Sequence, residues 1–341
     1  MFSVPKNYYL KEIIMTTRRQ FIQGTAATGI LGLGTSPSFA QIRSDTVRLV
    51  IGFSPGGTAD AIARRVADRL RGQLAANVVV ENKVGAGGQI AITAVKDSPG
   101  DGSTILMTPS SCLSIYPFTY PNKLPYKVTD LAPVSTVGYF DYGFGVGPAV
   151  PESVKTMNQF IAWTKENPSK ASYGSPAPGS MPHMIVAYIA KLSNLPWIHV
   201  PYRGTAPGIQ DLLGGQISAM SASIGDFLPH VKTGKLRVLA VSTGTRNRFA
   251  PEISSYRAQG FPIVMREWYG LFLPSSATAT TQRQTAAYVQ AALSHPEIVN
   301  TMNAVALDVK PSTPDEVSAQ LRADSDEWRR LIKIIGFNAE S

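Results

Sequence analysis

Short runs of β-branched and apolar residues alternate along the chain with segments whose apolar positions recur every three or four residues. Val47-Arg48-Leu49-Val50-Ile51 reads as a first strand. Phe53 to Gly57 breaks it, and Thr58 stands as a predicted N-cap before a helix with Ala59, Ile62, Ala63, Val66 and Leu70 on one face. A second unit follows: strand Asn77 to Glu81, turn Gly85-Ala86-Gly87-Gly88, helix Gln89 to Lys96. Thr104 to Met107 is a third strand ending in Thr108-Pro109-Ser110-Ser111, and Tyr116 to Tyr126 is a Pro- and Tyr-rich loop. The apolar, Gly-punctuated stretch from Val134 to Val150 is long enough to run as one extended crossover.

Beyond it the pattern repeats with strands at Ala171 to Tyr173, Trp197 to Val200, Ile217 to Met220 and Leu236 to Val241, each separated by a helix-like segment. Trp268 to Leu273 reads as a strand returning to the first part, and Thr280 to Ile335 as a helical tail with Trp328, Leu331 and Ile332 on its buried face. Strand and helix in alternation predict an α/β protein with largely parallel sheets. At 341 residues there is material for about two domains.

Composition narrows the function. One cysteine, Cys112, excludes an intramolecular disulfide and Cys-ligated zinc, and His183, His199, His230 and His295 lack metal-ligand spacing. We therefore expect no metal and no cofactor. The formal charge of +9 suggests nucleic acid until the N-terminus is read. Thr17-Arg18-Arg19-Gln20-Phe21-Ile22, an apolar stretch from Gly24 to Gly34 and Ser38-Phe39-Ala40 have the layout of a twin-arginine export signal cleaved after Ala40. That stretch is far short of the roughly 20 residues that span a bilayer. Met15 is an alternative start to Met1. Residues 1–40 carry Lys6, Lys11, Arg18 and Arg19 against Glu12, so their loss takes three charges from the nine and leaves +6. The rest of the chain has no basic run interleaved with aromatics, which argues against nucleic-acid binding.

Three turns share one design in which a strand ends, backbone N–H groups are exposed and a helix begins. They are Phe53-Ser54-Pro55-Gly56-Gly57-Thr58, Gly85 to Gly88, and Tyr173-Gly174-Ser175 through Gly179-Ser180. Such turns favour anions, and two of them facing each other would grip a carboxylate without a charged side chain. The alternative is that each is an ordinary βα turn. Gly85-Ala86-Gly87 fails as a dinucleotide fingerprint because Ile90 occupies the sixth position. No GxSxG, Walker A or HExxH pattern is present, so no catalytic residue is assigned. Asp60 reads as a dipole partner in a first helical turn, and Cys112 as a small buried residue.

The loops together resemble a family. Phe53-Ser54-Pro55-Gly56-Gly57-Thr58-Ala59-Asp60, Glu81-Asn82-Lys83-Val84-Gly85-Ala86-Gly87-Gly88, Tyr173-Gly174-Ser175 through Gly179-Ser180 with His183, His199-Val200-Pro201-Tyr202-Arg203-Gly204 and Gly234 to Val241 resemble, in order, the signatures of the Bug-type (TctC-like) extracytoplasmic substrate-binding receptors of tripartite tricarboxylate transporters. The resemblance implies a two-domain periplasmic binding protein of the Venus-flytrap type with two interdomain crossovers. We expect domain 1 to be 41–143 with 266–341 and domain 2 to be 144–265. It implies that Phe53, Pro55, Gly56, Gly57, Thr58 and Asp60 form one jaw, and Tyr173, Gly174, Ser175, Gly179, Ser180 and His183 the other. Thr108, Ser110, Ser111, Tyr202, Arg203 and Gly204 would shape the rest of the pocket.

The implied activity is non-enzymatic: a periplasmic monomer closes on a small carboxylate ligand and delivers it to membrane permease subunits. Signalling to a membrane sensor kinase is an alternative of another class, and an exported serine hydrolase using Ser110 or Ser175 is a third. Ser221 and Ala222 stand where the family commonly has Phe-Asp, which points to an acid without an amino group.

Overall fold

The computed structural model describes residues 45 to 338, so the expected export signal and its cleavage site lie outside the described residues. The first lobe opens with β1 (Thr46–Ile51), α1 (Thr58–Leu70), β2 (Asn77–Asn82), α2 (Gln89–Lys96) and β3 (Thr104–Pro109), followed by the short helices α3 (Ser111–Ser114) and α4 (Tyr116–Thr119) and by β4 (Leu131–Phe140). The second lobe contains β5 (Tyr142–Val146), α5 (Met157–Glu166), β6 (Ser172–Ser175), α6 (Met181–Leu192), β7 (Ile198–Pro201), α7 (Thr205–Leu213), β8 (Ala219–Ser223), α8 (Ile224–Lys232) and β9 (Arg237–Val241). The chain then returns through β10 (Glu267–Pro274), α9 (Ala279–Leu293), α10 (Pro296–Asn303), β11 (Asp308–Val309) and α11 (Pro314–Ile335).

Each lobe is built on one sheet, ordered β11-β4-β10-β3-β1-β2 in the first and β7-β6-β8-β5-β9 in the second. Both sheets are mixed rather than largely parallel. The βα units give parallel pairs, β1 with β2 and β3, and β6 with β7 and β8. The strands that follow an interlobe crossing, β5 and β10, pair antiparallel with both neighbours, because they enter from the other lobe and not through a crossover helix.

Helix α1 forms where the spacing predicts it. Ile62, Ala63, Val66, Ala67 and Leu70 are buried and Arg64 and Asp68 face out. Its N-cap is Gly57, not Thr58, so the Thr58 amide is the first helical donor. The stretch from Val134 to Val150 is not one crossover but two strands, β4 and β5, that join different sheets and meet at Asp141. The predicted loop after Tyr116 opens with α4, and β11 interrupts the helical tail. The final helix α11 starts at a capping box in which Thr313 and Glu316 bond each other's amides, and it buries Val317, Leu321, Trp328 and Ile332.

The two crossings lie side by side. Tyr142 N–H donates to Ser242 Oγ (2.9 Å), Ser242 N–H to the Tyr142 carbonyl (2.9 Å), and Arg266 Nε stands 3.6 Å from Asp141. Asn247 also donates to the Asp141 carboxyl, which burial pushes up to about 6.

Candidate functional site

The carboxyl ends of β1 and β3 in the first lobe and of β6 and β8 in the second point at the interlobe space, as expected for ligand sites of open α/β sheets. That space narrows to a small pocket lined by residues of both lobes. Phe53, Pro109, Phe140 and Tyr269 supply apolar and aromatic wall from the first lobe, and Pro176, Ala177 and Pro182 from the second. Ser54, Ser111, Ser180, Thr205, Ser223 and Asp226 supply the polar groups. The hydroxyls of Ser54, Ser111 and Ser223 are buried and have no partner within the protein. A buried hydroxyl without a partner is costly, so these three are poised for a ligand or water.

Of the residues implied by the family resemblance, Phe53, Gly57, Ser111 and Ser180 line the cavity. The others do different work. Asp60 accepts from the Gly56 amide (3.1 Å), from Arg64 Nε and Nη2 (2.9 Å each) and from Asn82 (3.0 Å), which ties the Pro55–Thr58 turn to the helix behind it. Burial would raise its carboxyl, but the donors from Arg64, Asn82 and Gly56 outweigh burial and hold it below the ordinary value. Thr58 directs its amide across the cleft to Asp226 Oδ1 (2.7 Å). Thr108 and Ser110 are buried, and Ser110 Oγ donates to Glu267 (3.4 Å).

In the second lobe, Ser175 Oγ meets His199 Nε2 (2.8 Å), and the His183 and His199 rings stack with centroids 3.7 Å apart beside Tyr173. The Gly179 amide donates to His183 Nδ1 (3.0 Å), so the ring proton sits on Nε2. Burial, and for His183 also its neighbour His199, lower both rings, to about 3 and about 4 respectively. Ser175 is fully buried. Tyr202 donates to Asp211 (2.7 Å), Gly174 packs under the Tyr202 ring, and the Arg203 carbonyl accepts the Ser54 amide across the cleft (3.3 Å). Gly204 approaches Ser54 directly, and Tyr202 and Arg203 border an outer groove with Lys123 and Pro178. Pro55 and Gly56 shape their turn, Gly56 with φ +88°.

The Gly85–Gly88 turn closes on itself, with the Gly88 amide on the Gly85 carbonyl and the Tyr116 hydroxyl on the Gly87 carbonyl (2.8 Å), and it does not line the cavity. Cys112 does line it, but burial pushes its thiol up to about 12, as suits a packing residue rather than a nucleophile. No group of three or more metal-ligating side chains is found among the described residues.

Several groups escaped the sequence reading. Glu267 is fully buried behind the wall, accepting the Ser111 amide (2.6 Å) and the Tyr142 hydroxyl, and burial raises its carboxyl. An acid opening the apolar strand Glu267–Pro274 was the available signal. Asp226 sits in the first turn of α8, where sequence alone reads a dipole partner.

This architecture of two mixed sheets joined by two adjacent crossings, with a cleft between them, is the two-domain fold of the periplasmic binding proteins. A solved structure described as a periplasmic transporter superposes with a TM-score of 0.81 at 28% identity, covering 87% of this chain and 99% of that one. Residues 62–337 match the family described as tripartite tricarboxylate transporter family receptor, TctC, and the chain belongs to that family. Among its relatives are a Pseudomonas sp. (strain P51) protein described as "UPF0065 protein in tcbD-tcbE intergenic region", 29% identical with 94% of this chain and 96% of the relative covered, and Bordetella pertussis Protein BugT, 27% identical with 91% and 97% covered. The R. palustris protein Rpa4515, solved with adipate, has the same fold, with a TM-score of 0.81, 24% identity and coverage of 86% of this chain and 98% of that one.

Proposed function

We propose that the protein is a periplasmic solute-binding receptor that closes on a small carboxylate between its lobes and presents it to the membrane permease subunits of a tripartite tricarboxylate-type transporter. The observation that carries this reading is the interlobe pocket whose lining includes Ser54, Ser111 and Ser223, three serines with buried hydroxyls that have no partner within the protein. The Ser54 amide on Arg203 and the Thr58 amide on Asp226 join the lobes across that cavity. A ligand that touches both lobes only when they are together shifts the equilibrium toward closure. The domains expected as 41–143 with 266–341 and 144–265, with the first boundary moved back to Asp141 because Tyr142 and Gly143 pair in the second sheet, rotate about the paired crossings at Asp141 and Arg266.

Residues 1–40 act as a twin-arginine export signal in this reading, and the exported receptor works as a monomer. The Ser175 and His199 pair supports binding rather than hydrolysis. Ser175 is fully buried and outside the cavity lining, and among the described residues no carboxylate bonds the His199 imidazole. The test is a thermal-shift and calorimetric screen of ligand-stripped protein against mono-, di- and tricarboxylates. The reading predicts at least one that raises the melting temperature and binds without turnover. If none binds, it fails.

A further inference from the structure

The side chains of this cavity offer no positive charge. Among the described residues that line it there is no Lys or Arg, and its acidic member is Asp226. A second carboxyl, Glu267, stands directly behind two lining residues, bonded to the Ser111 amide and the Tyr142 hydroxyl. A ligand bearing two carboxylates would bring its second charge into a space that already holds one carboxylate and is backed by another. With no cation to offset them, that repulsion is poorly screened inside protein.

Asp226 is also incompletely used. Its Oδ1 accepts the Thr58 amide (2.7 Å). An ionised carboxyl has about four lone-pair positions, so the Thr58 amide leaves room for a ligand donor, and Asp226 keeps partial exposure where it lines the cavity. The unpartnered hydroxyls of Ser111 and Ser223, both more than nine-tenths buried, are donors to an anion. Phe53, Phe140 and Tyr269 are apolar surface for the body between the two ends.

We infer that the cleft selects a carboxylate that also carries an amino group, with the ammonium taken by Asp226 and the carboxylate by the serine hydroxyls. This rests on the carboxylate-receptor reading and names its ligand class. It reverses the expectation drawn from Ser221 and Ala222, because Asp226 supplies from α8 the acid that those positions lack. Burial pushes the Asp226 carboxyl up to about 6, so at pH 8 it is ionised and ammonium-binding.

The experiment is calorimetry at pH 8 on ligand-stripped protein with a paired panel. Each amino-carboxylate is set against its amine-free acid and its dicarboxylate of equal length, 6-aminohexanoate against hexanoate and adipate being one set and phenylalanine against 3-phenylpropanoate another, over short to long chains. The tightest binder is expected to carry the amino group, by about 10- to 100-fold over its partners, the range of a charged hydrogen bond. Asp226→Asn should lose most of that margin while still binding the amine-free acid; Asp226→Ala serves if the amide variant does not fold. If the tightest binder of the wild-type protein lacks an amino group, this inference is overturned and the receptor reading stands. If no acid of the panel binds, both fall.

Discussion

Gly204 in the second lobe and Ser54 in the first meet so closely that a Cβ on Gly204 would stand 2.6 Å from the Ser54 hydroxyl and 2.9 Å from its amide nitrogen. The φ of Gly204 is +112°, so a side chain is excluded twice, by strain and by the facing lobe. Gly204→Ala is therefore expected to prop the cleft open. Scattering should show no ligand-induced compaction, and affinity should fall about tenfold or more. Gly57→Ala is the control, since its Cβ would meet only ordinary contacts at 3.7 Å to Asp226 and Thr205, and it should close normally. Compaction of the Gly204 variant equal to wild type would remove this contact as a determinant of closure.

Asp60 braces the jaw from behind. Replacing it with Asn removes the ion pair to Arg64, which is about half exposed, so we expect a loss of about 1–2 kcal/mol in urea denaturation with little change in ligand preference. The sign with pH follows from the lowered carboxyl. Its contribution is present above the ordinary value of 3.8 and is lost as pH falls below it, so wild type and variant should converge in acid. A changed ligand preference would place Asp60 in the site after all.

The contrast between Asp60 and Asp226 shows what the sequence could reveal. The motif around Phe53 to Asp60 located the right turn, and the 3.6-residue period of α1 located the helix behind it. Both are local signals, because the residues that make them are neighbours in the chain. Asp226 meets Thr58 from 168 positions away, and Glu267 meets Ser111 from 156. Nothing near either acid in the chain records that partner. Antiparallel insertion of β5 and β10 was hidden for the same reason, since strand direction depends on which lobe delivers the strand.

The stacked histidines make a prediction about acid stability. His183 and His199 are held neutral well below the ordinary 6.5, so their contribution is complete above pH 6.5 and declines as pH falls toward 4. Nitrogen chemical shifts should report both imidazoles neutral at pH 5.5. His199→Gln should flatten the fall of stability between pH 6.5 and 4 by up to about 1.4 kcal/mol per pH unit. The raised carboxyls of Asp141 and Asp226 act in the opposite sense over the same window, so the comparison of variant with wild type is the measurement that counts. Protonated imidazole at pH 5.5 would contradict the neutral pair.

Selectivity itself should depend on pH. Burial raises the Asp226 carboxyl to about 6 and the Thr58 and Thr205 donors only partly offset that, so the charge that attracts an ammonium is present at pH 8 and mostly gone by pH 5. Ligand carboxylates, with ordinary values near 4, stay largely ionised across this range. Glu267 behind the wall is also raised by burial, so the Asp226→Asn variant is what separates its titration from that of Asp226. Tyr269 is raised well above 10 with burial as the main cause, and Asp60 is held below its ordinary value by its own donors. The ratio of amino-carboxylate to amine-free affinity should therefore decline about tenfold between pH 8 and pH 5, with its midpoint near 6. In Asp226→Asn it should be flat. An equal decline in the variant would assign the titration to another group.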